Sequence, residues 1–238
     1  MNGRLKQREL VILSTLVFGV SAVTSHASTI TVTNTNDNGP GSLRQALVTA
    51  HNGDTITFAV AGTITLTSGW LPISKNVTVS GPGADQLSID GNQAIFVVGV
   101  FPGKTAAISG LSINNGQTGI WNEQGTLTMS DCVISGNSPY EGLYNHYGAL
   151  TVSDCVVTGN LGGGISNGSN GYTVLTVTHC EISGNLYGIH NDHGESSVTN
   201  CIVSSNQYGG LFTNGTSEAQ MTTFLGRFLN NCRQHYQR

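Results

Sequence analysis

A chain of 238 residues with 38% hydrophobic residues holds enough apolar material for one buried core, which excludes wholesale disorder and makes a single folded unit the default. Charged residues make up only 9%, against about 25% in ordinary globular domains, while 32 glycines exceed the usual share of about 7%. No Lys or Arg occurs between Lys104 and Arg227, so nucleic acid and anionic membranes, which need a positive patch, are not expected partners.

Residues 1–27 read as a signal peptide: Arg4, Lys6 and Arg8 precede an apolar run from Leu10 to Val23, and Ser25-His26-Ala27 offers small residues for cleavage. The run falls short of the roughly 20 residues that span a bilayer. A secreted or cell-surface chain beginning near Ser28, with no transmembrane segment, is therefore expected. Removing Arg4, Lys6, Arg8 and Glu9 takes nine Lys/Arg to six and thirteen Asp/Glu to twelve, a charge of −6 for the mature chain.

Residues 28–104 are expected to form an N-terminal capping region and first, irregular coils. Thr29 to Thr33, Asp54 to Ala59, Thr63 to Leu66, Val77 to Val79 and Ala94 to Val98 have strand character and are separated by Gly or Pro turns. Ser42 to His51 differs. Ser42 is placed to cap a helix with Leu43, Ala46, Leu47 and Ala50 on one face, suited to covering the bare end of a stack.

Residues 105–216 open with Ala106 to Ile108 and Leu111 to Ile113 and then repeat. Gly119-Ile120-Trp121-Asn122 recurs as Gly142-Leu143-Tyr144-Asn145, Gly164-Ile165-Ser166-Asn167, Gly188-Ile189-His190-Asn191 and Gly210-Leu211-Phe212-Thr213. Between these stands a second phrase, Leu127 to Asn137, repeated from Leu150 to Asn160 and from Leu175 to Asn185, with a degenerate copy from Ser196 to Asn206. A fixed period of this length marks a solenoid. Within one unit Ile120 and Asn122 share one parity, Leu127 and Met129 the other, and Cys132 and Ile134 flip again. Because strands alternate faces with period two, each flip marks a corner. The fold class is thus all-β: a parallel β-helix solenoid with three short strands per coil and an N-terminal capping helix.

Stacking also accounts for the composition. Equivalent residues lie about 4.8 Å apart, where like charges repel, whereas an Asn amide both donates and accepts. The columns Asn122, Asn145, Asn167, Asn191 and Asn137, Asn160, Asn185, Asn206 are candidate ladders. Residues 217–238 leave the repeat as a C-terminal tail or cap; Phe224, Leu225, Phe228 and Leu229 share a helical face.

Gly41-Ser42-Leu43-Arg44-Gln45-Ala46-Leu47 resembles the CSLREA motif that opens many bacterial secreted or surface β-helix proteins, with Gly41 where the motif has cysteine. The GIxN and CxISGN phrases resemble their coils and, more distantly, chlamydial polymorphic outer membrane protein repeats. The resemblance runs from roughly Thr29 to Thr216. It implies a right-handed, pectin-lyase-like β-helix and specifies architecture far better than function.

Five cysteines in an exported chain suggest disulfides, but Cys132, Cys155, Cys180 and Cys201 occupy one inward slot of successive coils. Side chains that point in parallel at this spacing suit neither a disulfide nor a tetrahedral metal, so buried free thiols are expected. Enzymes of this fold that cut acidic polysaccharides generally use Arg or Lys, which the regular coils lack. Hydrolysis would need paired carboxylates, for which Asp131 and Asp154 on adjacent turns, with Asp90 earlier, are the candidates; His179 and Asn200 in the same column favour a tolerant polar corner instead. His190, Asp192 and His193 include metal-ligand types but read as solvated turn residues, and neither a catalytic set, a metal site nor a cofactor is expected. Asn76, Asn167 and Asn214 match the glycosylation sequon.

The informative feature is an outward column, Trp121, Tyr144, Ser166, His190 and Phe212 at the x of GIxN, with Tyr140, Tyr187 and Tyr208 just before the same strand. Exposed aromatics stack on sugar rings or anchor proteins, although they also stabilise a sheet by packing on one another. Trp121, Tyr144, His190, Phe212, Tyr187 and Tyr208 are the candidate binding residues. The expected function is non-enzymatic, structural, adhesive or carbohydrate-interacting at the cell surface, with a polysaccharide or a surface protein as partner. A pectin-lyase-like lyase or glycoside hydrolase is the alternative.

Overall fold

A computed structural model describes residues 27–168, 173–192, 194–214 and 219–222. The signal-peptide segment, His193, Cys232 and the tail helix expected around Phe224 lie outside them. The described chain winds through three parallel sheets. Sheet A has nine strands, from Thr29–Val32 to Ala219–Thr222; sheet B has seven, from Gly62–Thr65 to Ile202–Ser204; sheet C has seven, from Leu71–Ile73 to Leu211–Asn214. One regular coil runs Thr118–Glu123 in sheet C, Thr126–Ser130 in A and Val133–Ser135 in B. Each strand pairs with its counterpart one turn on, as Leu127 with Leu150 and Leu150 with Leu175.

The parity argument holds at side-chain level. Ile120, Asn122, Leu127, Met129, Cys132 and Ile134 are each at most 1% exposed. Burying one such aliphatic side chain contributes about 1.5–3 kcal/mol, but a single coil has nothing to bury it against. The core therefore exists only between rungs.

The corners explain the polar columns. Between sheets A and B, Gly110, Asp131, Asp154, His179 and Asn200 all take left-handed backbone, with φ from 53° to 63°. Asp, Asn and His tolerate that region better than other non-glycine residues. Asp131 and Asp154 are exposed corner residues of this kind. The glycine of GIxN has a different cause: a Cβ on Gly142 would lie 2.8 Å from Asn160 Nδ2 and 2.9 Å from the Gly164 carbonyl, and one on Gly188 would collide with the Gly210 carbonyl. Close approach, not φ, demands glycine there.

Both asparagine columns form ladders. Asn122 Nδ2 donates to Asn145 Oδ1 (2.7 Å), Asn145 Nδ2 to Asn167 Oδ1 (2.7 Å) and Asn167 Nδ2 to Asn191 Oδ1 (2.6 Å). In the second ladder the backbone N and Nδ2 of Asn137 both donate to Asn160 Oδ1, and the pattern repeats to Asn185 and Asn206. Asn122, Asn145, Asn167 and Asn191, and Asn137, Asn160 and Asn185, are buried because neighbouring rungs take up their amides. Asn167 is fully buried, so its sequon is inaccessible in the folded chain.

Cys132, Cys155, Cys180 and Cys201 are free and buried. The backbone N of Cys132 donates to Cys155 Sγ, and that of Cys180 to Cys201 Sγ, each at 3.4 Å. The flanking Cys132 and Cys180 thiols, together with burial, push the Cys155 thiol well above the ordinary range.

The N-terminal end is closed by the helix Leu43–Thr49, with Gln45 N donating to Ser42 Oγ at the cap. Leu43 and Leu47 share one apolar region with Leu71, Ile73, Val79 and Ile89 of the first coils. Asp37 ties the cap down: Arg44 Nη2 donates to its Oδ1 (2.7 Å), and the Ser68 backbone N donates to its Oδ2 (2.7 Å). Two strands escape the sequence reading, Leu71–Ile73 and Leu87–Asp90. Pro72 makes the first unlikely from sequence, and it is tolerated because that strand is the edge of sheet C, where no ladder bond is lost. His190 and Asp192 also differ from expectation: they stand in the strand Ile189–Asp192 of sheet C, held by its pairing with Gly163–Asn167, and not in a turn.

Candidate functional site

Sheet C carries the outward column in continuous register, Trp121 beside Tyr144, then Ser166, His190 and Phe212. Side chains at these positions are set outward by the inward neighbours on each side, Ile120 and Asn122 in the first coil and their equivalents later. The rings do not form one stripe. Phe96, Trp121 and Tyr144 pack in series with centroids 4.7 and 4.9 Å apart, and Trp70 extends the series to Phe96 at 5.7 Å. Tyr187 meets Tyr208 at 5.4 Å and Phe212 at 5.2 Å in a second cluster.

Ser166 interrupts the column between them. It is 7% exposed, and its small side chain leaves a groove of about 490 Å³. Trp121, Tyr144 and His190 line this groove; Phe212, Tyr187 and Tyr208 stand outside it. Further walls come from Phe96, Tyr140, Glu141 and Asp192. From Phe96 to Asp192 the lining crosses four rung steps, roughly 19 Å at about 4.8 Å each. That length suits an extended chain better than a single small molecule.

A carboxylate and an imidazole, both missed in the sequence reading, sit against the lining residues Trp121 and Tyr144. His146 Nδ1 lies 2.6 Å from Glu123 Oε2, and Trp121 Nε1 donates to the same oxygen at 2.8 Å. Burial alone would raise the Glu123 carboxyl, but the bonds from His146 and Trp121 outweigh it and hold the group below the ordinary glutamate range. The His146 ring also lies 5.6 Å from that of Tyr144. These two positions follow the ladder residues Asn122 and Asn145, so parity alone places them outward and one rung apart. Glu141 is the opposite case: burial pushes its carboxyl up, only partly offset by the hydrogen bond from its own backbone N–H and by His190.

The earlier carboxylate candidates are not here. Asp131 and Asp154 lie at the A–B corner, away from sheet C, and Asp90, the last residue of the sheet B strand Leu87–Asp90, accepts at Oδ1 from Asn92 N and Asn115 Nδ2. Among the described residues no three His, Cys, Asp or Glu side chains converge as metal ligands, and no helix is long and apolar enough to cross a membrane.

Coiling, ladders and a groove on one sheet define a parallel β-solenoid with a single aromatic face. The family model for the right handed beta helix region matches residues 62–224, and the chain belongs to that family. An alginate lyase from Paenibacillus sp. str. FPU-7 is similar in structure, with a TM-score of 0.51 and 16% identity over 79% of this chain and 76% of that one. A pectin methylesterase from Erwinia chrysanthemi gives a TM-score of 0.49 at 11% identity, covering 79% and 82%. At such identities the likeness shows the fold alone. No curated protein matches the chain in sequence.

Proposed function

We propose that this is an exported, non-enzymatic β-helix that binds carbohydrate through the groove of sheet C, in a structural or adhesive role at the cell surface. The single observation that carries the reading is the elongated groove flanked by Trp121 and Tyr144 and floored by Ser166. Aromatic faces pack on the apolar faces of sugar rings, and nearby polar groups fix the hydroxyls. The charge-poor coils offer no Arg or Lys to clamp or deprotonate a uronate, which favours binding over lyase chemistry.

A second reading rests on one observation, the Glu123–His146 pair beside Tyr144, since a carboxylate-held imidazole near a phenol is a workable acid–base set. Assays for released reducing or unsaturated ends separate the two. The binding reading is tested by the Trp121→Ala/Tyr144→Ala double variant in a glycan-binding assay. At least a tenfold loss of affinity, about 1.4 kcal/mol, is expected with the circular dichroism spectrum unchanged. A folded double variant that binds as the wild type does would reject the groove.

A further inference from the structure

One inward slot of sheet A breaks the pattern of the coils. Val77, Ala106, Leu127, Leu150 and Leu175 stand in register there, apolar and each at most 5% exposed. Asp54, one residue before the pair Thr55–Thr78, fills the same slot with a carboxylate and is 2% exposed. A carboxylate moved from water into an apolar column is costly unless it is paired.

Two backbone groups reach it. His51 N donates to Asp54 Oδ2 and Ser28 N donates to Oδ1, each at 2.8 Å. These bonds hold the carboxyl below the ordinary aspartate range, so it is ionised near neutrality. Among the described residues the side chain within ion-pair distance is that of His51, 3.8 Å away and 84% exposed. A buried charge therefore rests on neutral N–H donors and one solvated ring.

Ser28 lies directly over Asp54 in the stack, because Thr29 pairs with Thr55, and the Ser28 carbonyl accepts from Thr55 N at 2.8 Å. Ala27 and Ser28 are exposed ahead of the first strand, Thr29–Val32. The peptide bond joining them is also where the leader pattern of residues 1–27 ends. The nitrogen that meets the buried carboxylate is thus the one that cleavage would turn into a chain terminus.

Taking export as given, we propose that Ala27–Ser28 is the processing site and that the α-ammonium it frees is the counter-ion of Asp54. Hydrolysis by an export peptidase breaks the C–N bond: the water oxygen joins the Ala27 carbonyl carbon, both water hydrogens end on the Ser28 nitrogen, and a carboxylate and an ammonium result. The atom already bonded to Asp54 Oδ1 thereby gains a full positive charge, and a charge-assisted bond is roughly twice as strong as a neutral one. Processing clamps the first strand of sheet A over the second.

The test uses the exported full-length product and two full-length variants. Intact mass should show a chain beginning at Ser28. Inserting Gly-Gly between Ala27 and Ser28 keeps the cleavage point and returns the Ser28 nitrogen to a neutral amide, and it should lower the melting temperature by about 2–4 °C. In an Asp54→Asn background the same insertion should shift nothing, since the charge it separates from the ammonium is gone. Should Asp54→Asn not fold, acylation of the α-amine reads the same contact: Ser28 should react about tenfold more slowly than the inserted terminal glycine. A chain that begins at Ser28 but melts and reacts alike with and without the insertion overturns the ion pair and leaves export standing, as does an insertion that costs the same in both backgrounds. A chain exported with another first residue overturns the processing site, and one that is never exported removes the export reading as well.

Discussion

Asn122 and Asn145 are chemically identical and stacked, yet their positions in the ladder differ. Asn145 accepts from Asn122 and donates to Asn167, whereas Asn122 Oδ1 has no partner among the described residues because the preceding rung places Val100 in register with it. Removing the middle amide strands Asn167 Oδ1 and leaves Asn122 Nδ2 only the Gly125 and Ala149 carbonyls, whereas removing Asn122 also removes an oxygen that is already unsatisfied, and each unsatisfied group costs about 1–3 kcal/mol. Asn145→Ala should therefore destabilise by about 3 kcal/mol, and Asn122→Ala by about 1 kcal/mol less, as measured by urea unfolding. Equal losses would mean the ladder bonds contribute little beyond packing. These columns were legible in the sequence because the repeat spacing is regular and Asn is the stackable polar residue. The groove was legible only in part. Trp121, Tyr144 and His190 followed from parity, but Phe96 precedes the first copy of the repeated phrase, and nothing local reveals that a small Ser166 opens a hollow between larger neighbours.

At the scale of elements, the helix Leu43–Thr49 and the loop before it hold the first turn of the solenoid through Asp37. Burial would raise this carboxyl, but bonds from Arg44, Ser68 and Thr67 lower it to about 2. The folded value lies below the unfolded one of about 4, so the stabilisation is present above pH 4 and is lost as pH falls through the folded value. Asp37→Asn should cost about 2 kcal/mol near neutrality, with the gap to wild type closing between about pH 4 and pH 2 in thermal melts. A gap that persists at low pH would assign the effect to shape and not to charge. The cap helix was readable from Ser42 and the spacing of its apolar face. The edge strand Leu71–Ile73 was not, because its tolerance of Pro72 depends on which sheet edge the strand occupies.

For the whole molecule, stability spreads over neighbouring rungs, so the described coils behave as a chain of interfaces instead of one central core. The same stacking that removes charge from the columns leaves the outward face of sheet C free to vary, and there the rings of Trp121, Tyr144 and Phe212 stand. The fold class was accessible from repetition and its right-handed family from the resemblance carried by Gly41–Leu47 and the GIxN phrases; the ligand was not, since architecture of this kind serves many chemistries. The most direct test of the binding account is to fill the hollow without touching its walls. Ser166→Trp places a large ring on the groove floor, and the account predicts at least a tenfold loss of oligosaccharide affinity by titration calorimetry at an unchanged melting temperature; wild-type affinity in a folded Ser166→Trp protein would contradict it.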